Sequence, residues 1–330
     1  MSYSISQATT AYLQSISDAR SANTARTYRT AMNAFTALLN ALGPPTDQTE
    51  ISELSEDIVV QFATELKALS PATEQLYLTV VAGFFEFLVA ERLADINLPR
   101  VRLLIRKRTR KPGVRLPQFP QQQIDNTIQY AIYLAVLPIA DERVRLINLR
   151  DRAFILTLAD TGLRVHEACN LCRGDLDWNE NKAIVKGKGN REAVVRFSQR
   201  SLNALRDYLA ARAKPDGSTG RQLASLPLFA RHDKGSGKKV KPMTPTTGRN
   251  IIKQRVTEAI GLEAGKYITP HSFRHYFVTT VLISSGGNLK LAQNLARHQN
   301  IAVTQRYAHL SDSDLDRSYL DIFDSKPAPQ

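Results

Sequence analysis

The chain has 330 residues, enough for two domains of ordinary size, each with its own core. Its 43% hydrophobic and 23% charged residues exclude a disordered chain. Lys and Arg number 44 against 31 Asp and Glu, and the resulting net charge of +13 points to a polyanionic partner, nucleic acid before membrane. Two cysteines, Cys169 and Cys172, exclude a disulfide scaffold. No apolar run reaches the roughly 18 residues that span a bilayer. The best candidate, 131–140, is ten residues long and holds Pro138. Residues 1–7 lack the basic and apolar regions of a secretory leader. The expected place is the cytoplasm, beside the nucleoid, with no membrane partner.

In chain order, residues 1–98 are helical by pattern. Tyr28, Met32, Phe35, Leu39 and Leu42 recur every three or four residues, a buried stripe that Gly43-Pro44-Pro45 ends. Ser55 before Glu56 and Asp57 reads as a helix cap with an acidic first turn. Ser70-Pro71 opens a further helix along which Tyr77, Val81, Phe84 and Leu88 line up. Four helices packed in a small bundle are expected. This part holds five basic and eleven acidic residues, so it does not coat DNA uniformly. Arg20, Arg26 and Arg29 are either a local basic face or solvated surface charge.

Residues 99–120 hold eight basic and no acidic residues: Arg100, Arg102, Arg106, Lys107, Arg108, Arg110, Lys111 and Arg115. Pro99, Pro112, Gly113, Pro117 and Pro120 interrupt the run, which reads as a basic linker and neither helix nor strand. The domains are therefore expected at 1–98 and 121–330.

The second part is mixed. The pattern predicts helices over 121–137, 143–160, 198–212, 245–260, 270–284 and 288–297. Short strands at 183–185 and 193–197 flank a Gly-rich turn and form a hairpin. Gly- and Lys-rich stretches at 214–221 and 233–241 read as mobile loops. The fold class is mainly α with a small β-hairpin or sheet (α+β).

Four segments here carry unusual chemistry. In Thr161-Gly162-Leu163-Arg164-Val165-His166-Glu167, one helix ends at Gly162 and another opens at Arg164, which projects from the corner or is simply exposed or salt-bridged. Cys169 and Cys172 lack the second pair a zinc site needs and read as half-buried helix cysteines. Lys188 at the hairpin tip stands between Gly187 and Gly189, which lets the turn approach a nucleic-acid backbone; alone it is equally a plain turn. In Thr269-Pro270-His271-Ser272-Phe273-Arg274-His275, His271 and Arg274 share one face in a first helical turn, where free N–H groups favour an anion. His271 as a cap and Arg274 paired with an acid are the plainer alternatives. Last, Leu295-Ala296-Arg297-His298 precedes Tyr307-Ala308-His309.

Together these segments resemble the tyrosine recombinase (phage integrase) family, from about residue 10 to 320, with a layout closest to the Xer-like recombinases. The box T-G-L-R-x-x-E is matched by 161–167 and H-x-x-R-H by 271–275. The resemblance implies Arg164 as first catalytic arginine, Lys188 as hairpin lysine and general acid, His271 and Arg274 from the second box, His298 as second histidine and Tyr307 as nucleophile. One departure is Arg297, where the family usually has glycine. The family fold is a SAM-like helical core-binding bundle plus a catalytic domain in a C-shaped DNA clamp. The implied activity is site-specific DNA recombination through a 3′-phosphotyrosyl and a Holliday junction, without metal, ATP or other cofactor. The implied partners are double-stranded DNA carrying recombination sites and three further copies of the chain, a homo-tetramer on two duplexes. DNA contacts are expected from Arg26, Arg29, Arg100, Arg102, Arg106, Lys107, Arg108, Arg110 and Lys111. The segment 311–324, with Leu315, Tyr319, Leu320 and Phe323, reads as a short helix packing in a neighbouring protomer or in its own. Two rival functions use the same fold: a type IB topoisomerase-like relaxing enzyme, and a DNA-binding regulator without catalysis.

Overall fold

The computed structural model describes residues 3–110, 120–187, 192–233 and 240–305, and the chain divides into two units, Met1–Arg115 and Leu116–Gln330. In the first unit short polar caps set most helix starts. Ser4 and Gln7 form a capping box at α1 (Ile5–Ala19). Ser21 caps α2 (Ala22–Leu42), and α3 spans Ile58–Glu65. Ser70 caps α4 (Pro71–Ala90), with Pro71 in the first turn, where its missing N–H costs nothing. The expected stripes lie inward: Met32, Phe35, Val81, Phe84 and Leu88 are fully buried, whereas Leu42 at the end of α2 is exposed. Phe35 meets Phe62 edge to face at 5.2 Å and packs beside Phe84 and Phe85. Each such ring contributes about 1.5–3 kcal/mol by burial.

Three expectations change here. Helix α3 begins at Ile58, because Glu56 and Asp57 are used elsewhere. Glu56 accepts the Asn97 N–H at 2.9 Å, and the two carboxylates hold Arg100 at 3.1 and 2.6 Å. The basic stretch begins as a helix, α5 (Leu98–Arg108), not as a linker. Asn97 caps it, Pro99 sits in its first turn, Val101 is buried, and Leu98, Leu104 and Ile105 pack on the core. Arg106, Lys107 and Arg108 occupy its last turn, where the helix dipole favours cations. Finally, the most apolar helix is α4 and not 131–140; among the described residues it alone is long and apolar enough to cross a membrane. Here it is the core helix of the unit, and it buries Glu74 against Lys67 (2.8 Å) and Arg110.

The second unit opens with α6 (Gln121–Tyr133) and α7 (Glu142–Thr161). Asp141 caps α7 by accepting two N–H groups, and twelve residues of α7 are buried because it is packed on several sides. After α8 (Val165–Asn170) come β1 (Leu176–Asp177), β2 (Lys182–Lys186) and β3 (Glu192–Arg196). The hairpin is thus one part of a three-stranded antiparallel sheet, order β1-β2-β3, with Ala183 opposite Val195. Alternation places Ala183, Val185 and Val195 in the core and Ile184 and Val194 outside.

Helix α9 (Gln199–Ala211) leads into α10 (Ala213–Gly217), where the sequence pattern predicts a mobile loop. Asp216 fixes that turn by receiving Arg173 at 2.6 Å and the buried Arg212 at 3.1 Å. The remaining helices are α11 (Pro245–Ile260), α12 (Leu262–Gly265), α13 (Pro270–Ser284), α14 (Leu289–Ala296) and α15 (Ile301–Gln305). Buried Asp151 on α7 receives Arg150 and Arg255, the latter at 2.8 Å, and ties α7 to α11. Lys111 to Phe119, Lys188 to Arg191, Lys234 to Lys239 and Arg306 to Gln330 lie outside the described residues. The expectations for Lys111, Arg115, Lys188, Tyr307, the 311–324 segment and most of 233–241 fall there.

Candidate active site

The site forms where α7, α13 and α14 end or begin. Gly162 closes α7 in the left-handed conformation, φ +60°, which frees the chain to turn towards Arg164. No side chain is accommodated there: a Cβ would stand 2.5 Å from the ring of Phe277, so α13 lies directly on the turn. Arg164 precedes α8, and its N–H and Nη1 both bind Glu167, on Oε2 and Oε1, each at 2.9 Å. The Arg164 side chain remains 45% exposed, while Glu167 is buried.

Arg274 is placed differently. It is 2% exposed. Its guanidinium donates from Nη1 to the carbonyl of Gly162 and from Nη2 to the carbonyl of Ala296. One side chain therefore joins α13 to the end of α14 and to the first box, which lies more than a hundred residues earlier in the chain. Arg164, His271 and Arg274 line one cavity of about 740 Å³, which continues past Arg249, Lys253 and Lys266. His271 stacks edge to face on His275, ring centres 4.3 Å apart.

Helix α14 ends at Ala296, and Arg297 caps it with φ +58° and ψ +43°. A non-glycine residue in that region costs about 1–2 kcal/mol. Arg297 itself adopts the left-handed turn that favours glycine, and the next N–H, of His298, reaches the carbonyl of Gln293 at 3.0 Å. His298 Nδ1 shares a hydrogen bond with Thr304 Oγ1 at 2.8 Å. The Arg297 Nη2 reaches Glu167 Oε2 at 3.1 Å.

The electrostatics follow from burial among arginines. Burial, then the charges of Arg274 and Arg164, holds His271 below the ordinary histidine pKa. The same causes, with His271 and His275 added, bring His298 down to about 4. His275 also falls to about 4, by burial, His271 and Arg274. All three rings are therefore neutral at pH 7 and keep a nitrogen able to accept a proton. Burial raises the Glu167 carboxyl, yet Arg297 and Arg164 outweigh it and leave the group below its usual range.

Four of the six expected catalytic residues, Arg164, His271, Arg274 and His298, lie among the described residues; Lys188 and Tyr307 do not. Of the expected DNA-binding set, Arg26, Arg29, Arg106 and Lys107 are exposed, without an ion pair among the described residues. Arg100, Arg102 and Arg110 are engaged on acids: Glu56 with Asp57, Glu86, and Glu74. Three site residues carried no expected role. Glu167 was legible as an acid three residues after Arg164; Arg249 and Lys253, on the cavity face of α11, were legible only as part of a helix. The two cysteines differ from the expected half-buried helix pair: Cys169 is on α8 but fully buried, with its thiol pushed up to about 12 by burial, and Cys172 is half-buried but lies just beyond the helix. Among the described residues no three His, Cys, Asp or Glu side chains group as metal ligands.

Comparison with known proteins shows the family of the chain. The phage integrase family matches residues 132–314, and the N-terminal SAM-like domain of phage integrases matches 10–92. A tyrosine recombinase XerC of Pediococcus pentosaceus is 30% identical over 285 residues, 86% of either chain. Another XerC, of Treponema denticola, is 30% identical over 280 residues, covering 82% of this chain and 84% of its own. Two solved structures share the fold at 18% identity and a TM-score of 0.65. One is the XerH site-specific recombinase bound to difH substrate before cleavage, covering 96% of this chain and 84% of its own. The other is the Tn1549 transposon integrase with transposon right end DNA, covering 98% and 100%. This chain belongs to the phage integrase family, the tyrosine recombinases.

Proposed function

We propose that the protein is a site-specific DNA recombinase in which Tyr307 attacks a backbone phosphorus of double-stranded DNA. The observation that carries this is the convergence of Arg164, His271 and Arg274 on one cavity, with Arg274 bonded to the carbonyls of Gly162 in the first box and of Ala296 at the end of α14. The attacked phosphodiester gains negative charge on its non-bridging oxygens, and two permanently charged guanidinium groups meet it there. A tyrosine hydroxyl near pKa 10 is ionised about once in a thousand at pH 7, a cost of roughly 4 kcal/mol. Nearby arginines lower that cost, and the neutral ring of His271 accepts the phenol proton. Lys188 protonates the departing 5′-oxygen, and His298 donates to the phosphate.

The Tyr307 oxygen forms a bond to phosphorus as the bond to the 5′-oxygen breaks, leaving a 3′-phosphotyrosyl and a 5′-hydroxyl. The reverse attack by a second 5′-hydroxyl rejoins the strand, so the ester conserves the bond and neither ATP nor metal is consumed. The first and second units act as core-binding and catalytic domains on one recombination site. Four copies on two duplexes exchange strands through a Holliday junction, in the cytoplasm beside the nucleoid. Because Arg100, Arg102 and Arg110 are paired, the phosphate contacts of the basic segment fall chiefly to Arg106, Lys107 and Arg108.

A nicked suicide duplex tests this. Wild type forms a covalent adduct that survives excess EDTA and maps to Tyr307 by mass spectrometry. Tyr307→Phe binds the same DNA and forms none; an adduct persisting in that variant moves the nucleophile elsewhere, with Tyr319 first to examine.

A further inference from the structure

Arg297 carries three burdens that a residue present only for stability would shed. It holds a left-handed backbone that suits glycine. Its side chain is only 12% exposed, so a charge is buried. Its Nε–H is buried with no acceptor among the described residues. Against these stands one ion pair, to Glu167. Residues that break local rules in this way cluster where function demands them.

We propose that Arg297 is a positioning residue for Arg164, acting through the carboxylate they share. Glu167 Oε1 takes Arg164 Nη1, while Oε2 takes both the Arg164 N–H and Arg297 Nη2. Arg297 thus grips Glu167 from its buried side and Arg164 from the cavity side. The carboxylate cannot swing to chelate Arg164 with both oxygens, so the outer face of that guanidinium stays turned to the phosphate. The charge balance changes as well. Arg164, Glu167 and Arg297 sum to +1, whereas glycine at position 297 would leave Arg164 neutralised by Glu167. The extra charge serves a site that must stabilise a phosphorane-like transition state and a phenolate.

The charged groups acting on Glu167 are Arg164 from its own turn and Arg297 from the end of α14. With Arg297 removed, one of the charges that oppose burial is lost and the Glu167 carboxyl titrates at higher pH than in wild type. The kinetic consequence rests on the recombinase reading; the geometric one does not.

The test compares Arg297→Gly, Arg297→Met and Arg297→Lys in the full chain. Arg297→Gly relieves the backbone, so its melting temperature should equal or exceed that of wild type. Its single-turnover cleavage of the suicide duplex at saturating DNA should nevertheless fall about 10- to 100-fold, the usual loss when a group that orients a reacting one is removed. DNA affinity should stay nearly unchanged, and the acid limb of the pH–rate profile should move to higher pH. Arg297→Met repeats this without the glycine's backbone freedom, and Arg297→Lys recovers most of the rate. An unchanged rate and acid limb in Arg297→Gly, or no recovery in Arg297→Lys, overturns the proposal. The guanidinium resonances of Arg164, followed by NMR in DNA-free protein, give a readout without catalysis. They should exchange more slowly in Arg297→Met, where Glu167 is free to chelate Arg164 with both oxygens, than in wild type; equal protection in both also overturns it. Should wild type form no adduct at all, the recombinase reading fails while this NMR comparison still decides the role of Arg297.

Discussion

The basic residues of α5 and those around the cavity of the second unit carry the same charge in opposite settings. On α5, Arg100 and Arg102 lie at the surface on Glu56, Asp57 and Glu86, and Arg106 and Lys107 stand in solvent. Pairs of that kind contribute about 0–1 kcal/mol each. Around the cavity, Arg274 is buried on two carbonyls, Arg297 is nearly buried on Glu167, and Arg164 alone is half exposed. The second group adds its charge to burial in depressing His271 and His298, and it keeps buried Glu167 ionised, whereas on α5 Arg100 only reinforces the lowering of a solvent-facing Glu56. Density of charge along the chain therefore marks affinity for a polyanion. What holds the far end of each guanidinium marks the chemistry.

The largest effect should come from the most buried of these groups. Arg274→Ala should lower single-turnover cleavage by about 10²–10³-fold, as for loss of one preorganised donor. It should also lower the melting temperature, since the carbonyls of Gly162 and Ala296 both lose their donor. Arg274→Lys should rescue neither, because one ammonium cannot bridge the two carbonyls as a planar fork does. Full cleavage by the lysine variant would show that charge alone suffices, and would erase the contrast with α5.

Next in size is the one place in the first unit that resembles the cavity wall. Glu74 is buried, and it receives Lys67 Nζ at 2.8 Å and the Arg110 N–H at 2.9 Å. Burial raises its carboxyl, but these donors overcome that and bring it to about 2. Glu74→Ala should cost the unit about 1–3 kcal/mol, measured by denaturant unfolding. In the unfolded chain the same carboxyl titrates near the ordinary glutamate value of about 4.3. The contribution of Glu74 is therefore complete above that pH and is lost as pH falls towards 2. A variant whose acid limb matches wild type would show the buried pair to be idle.

The histidines respond in another window. An unfolded histidine binds its proton near 6.5, and folded His298 and His275 near 4. Between these values the unfolded chain holds more protons, so their contribution is neutral above about pH 6.5 and destabilises increasingly down to pH 4. His298→Asn should flatten that part of the melting-temperature profile. A short duplex bearing the recombination site should do the same, because its phosphate offsets the arginines.

Much of this was legible from residue spacing. Helices α11 and α13 are expected at 245–260 and 270–284 and lie there, because Thr244-Pro245 and Thr269-Pro270 mark their starts. Pro99 misleads for the same reason that Pro71 does not. Both sit in a first helical turn, but the arginines after Pro99 hide the stripe of Leu98, Val101, Leu104 and Ile105. The two-residue β1 is too short to show any alternation. Glu167 and Arg297 are 130 residues apart, and nothing in either local sequence indicates that they touch; only the packing of α14 against the first box brings them together. The residues expected to react are easier to find in a sequence than those that hold them, because the first lie in short boxes while their supports are set by tertiary structure.

The smallest effect separates free from paired cations within α5 itself. Removing one cation that neutralises a phosphate lowers the slope of log affinity against log salt by about 0.9. Arg106→Gln with Lys107→Gln should therefore flatten the slope by about two units in filter binding or fluorescence titration. Arg102→Gln should leave it almost unchanged, since Glu86 already neutralises that guanidinium in the free protein at 2.7 Å. The decisive comparison is Glu86→Gln. With its acid removed, Arg102 becomes as free as Arg106, and the slope should steepen relative to wild type. A slope that ignores Glu86 while responding to Arg102 would mean that DNA displaces the carboxylate at no cost. Ion pairing in the free protein would then no longer distinguish one surface arginine from another.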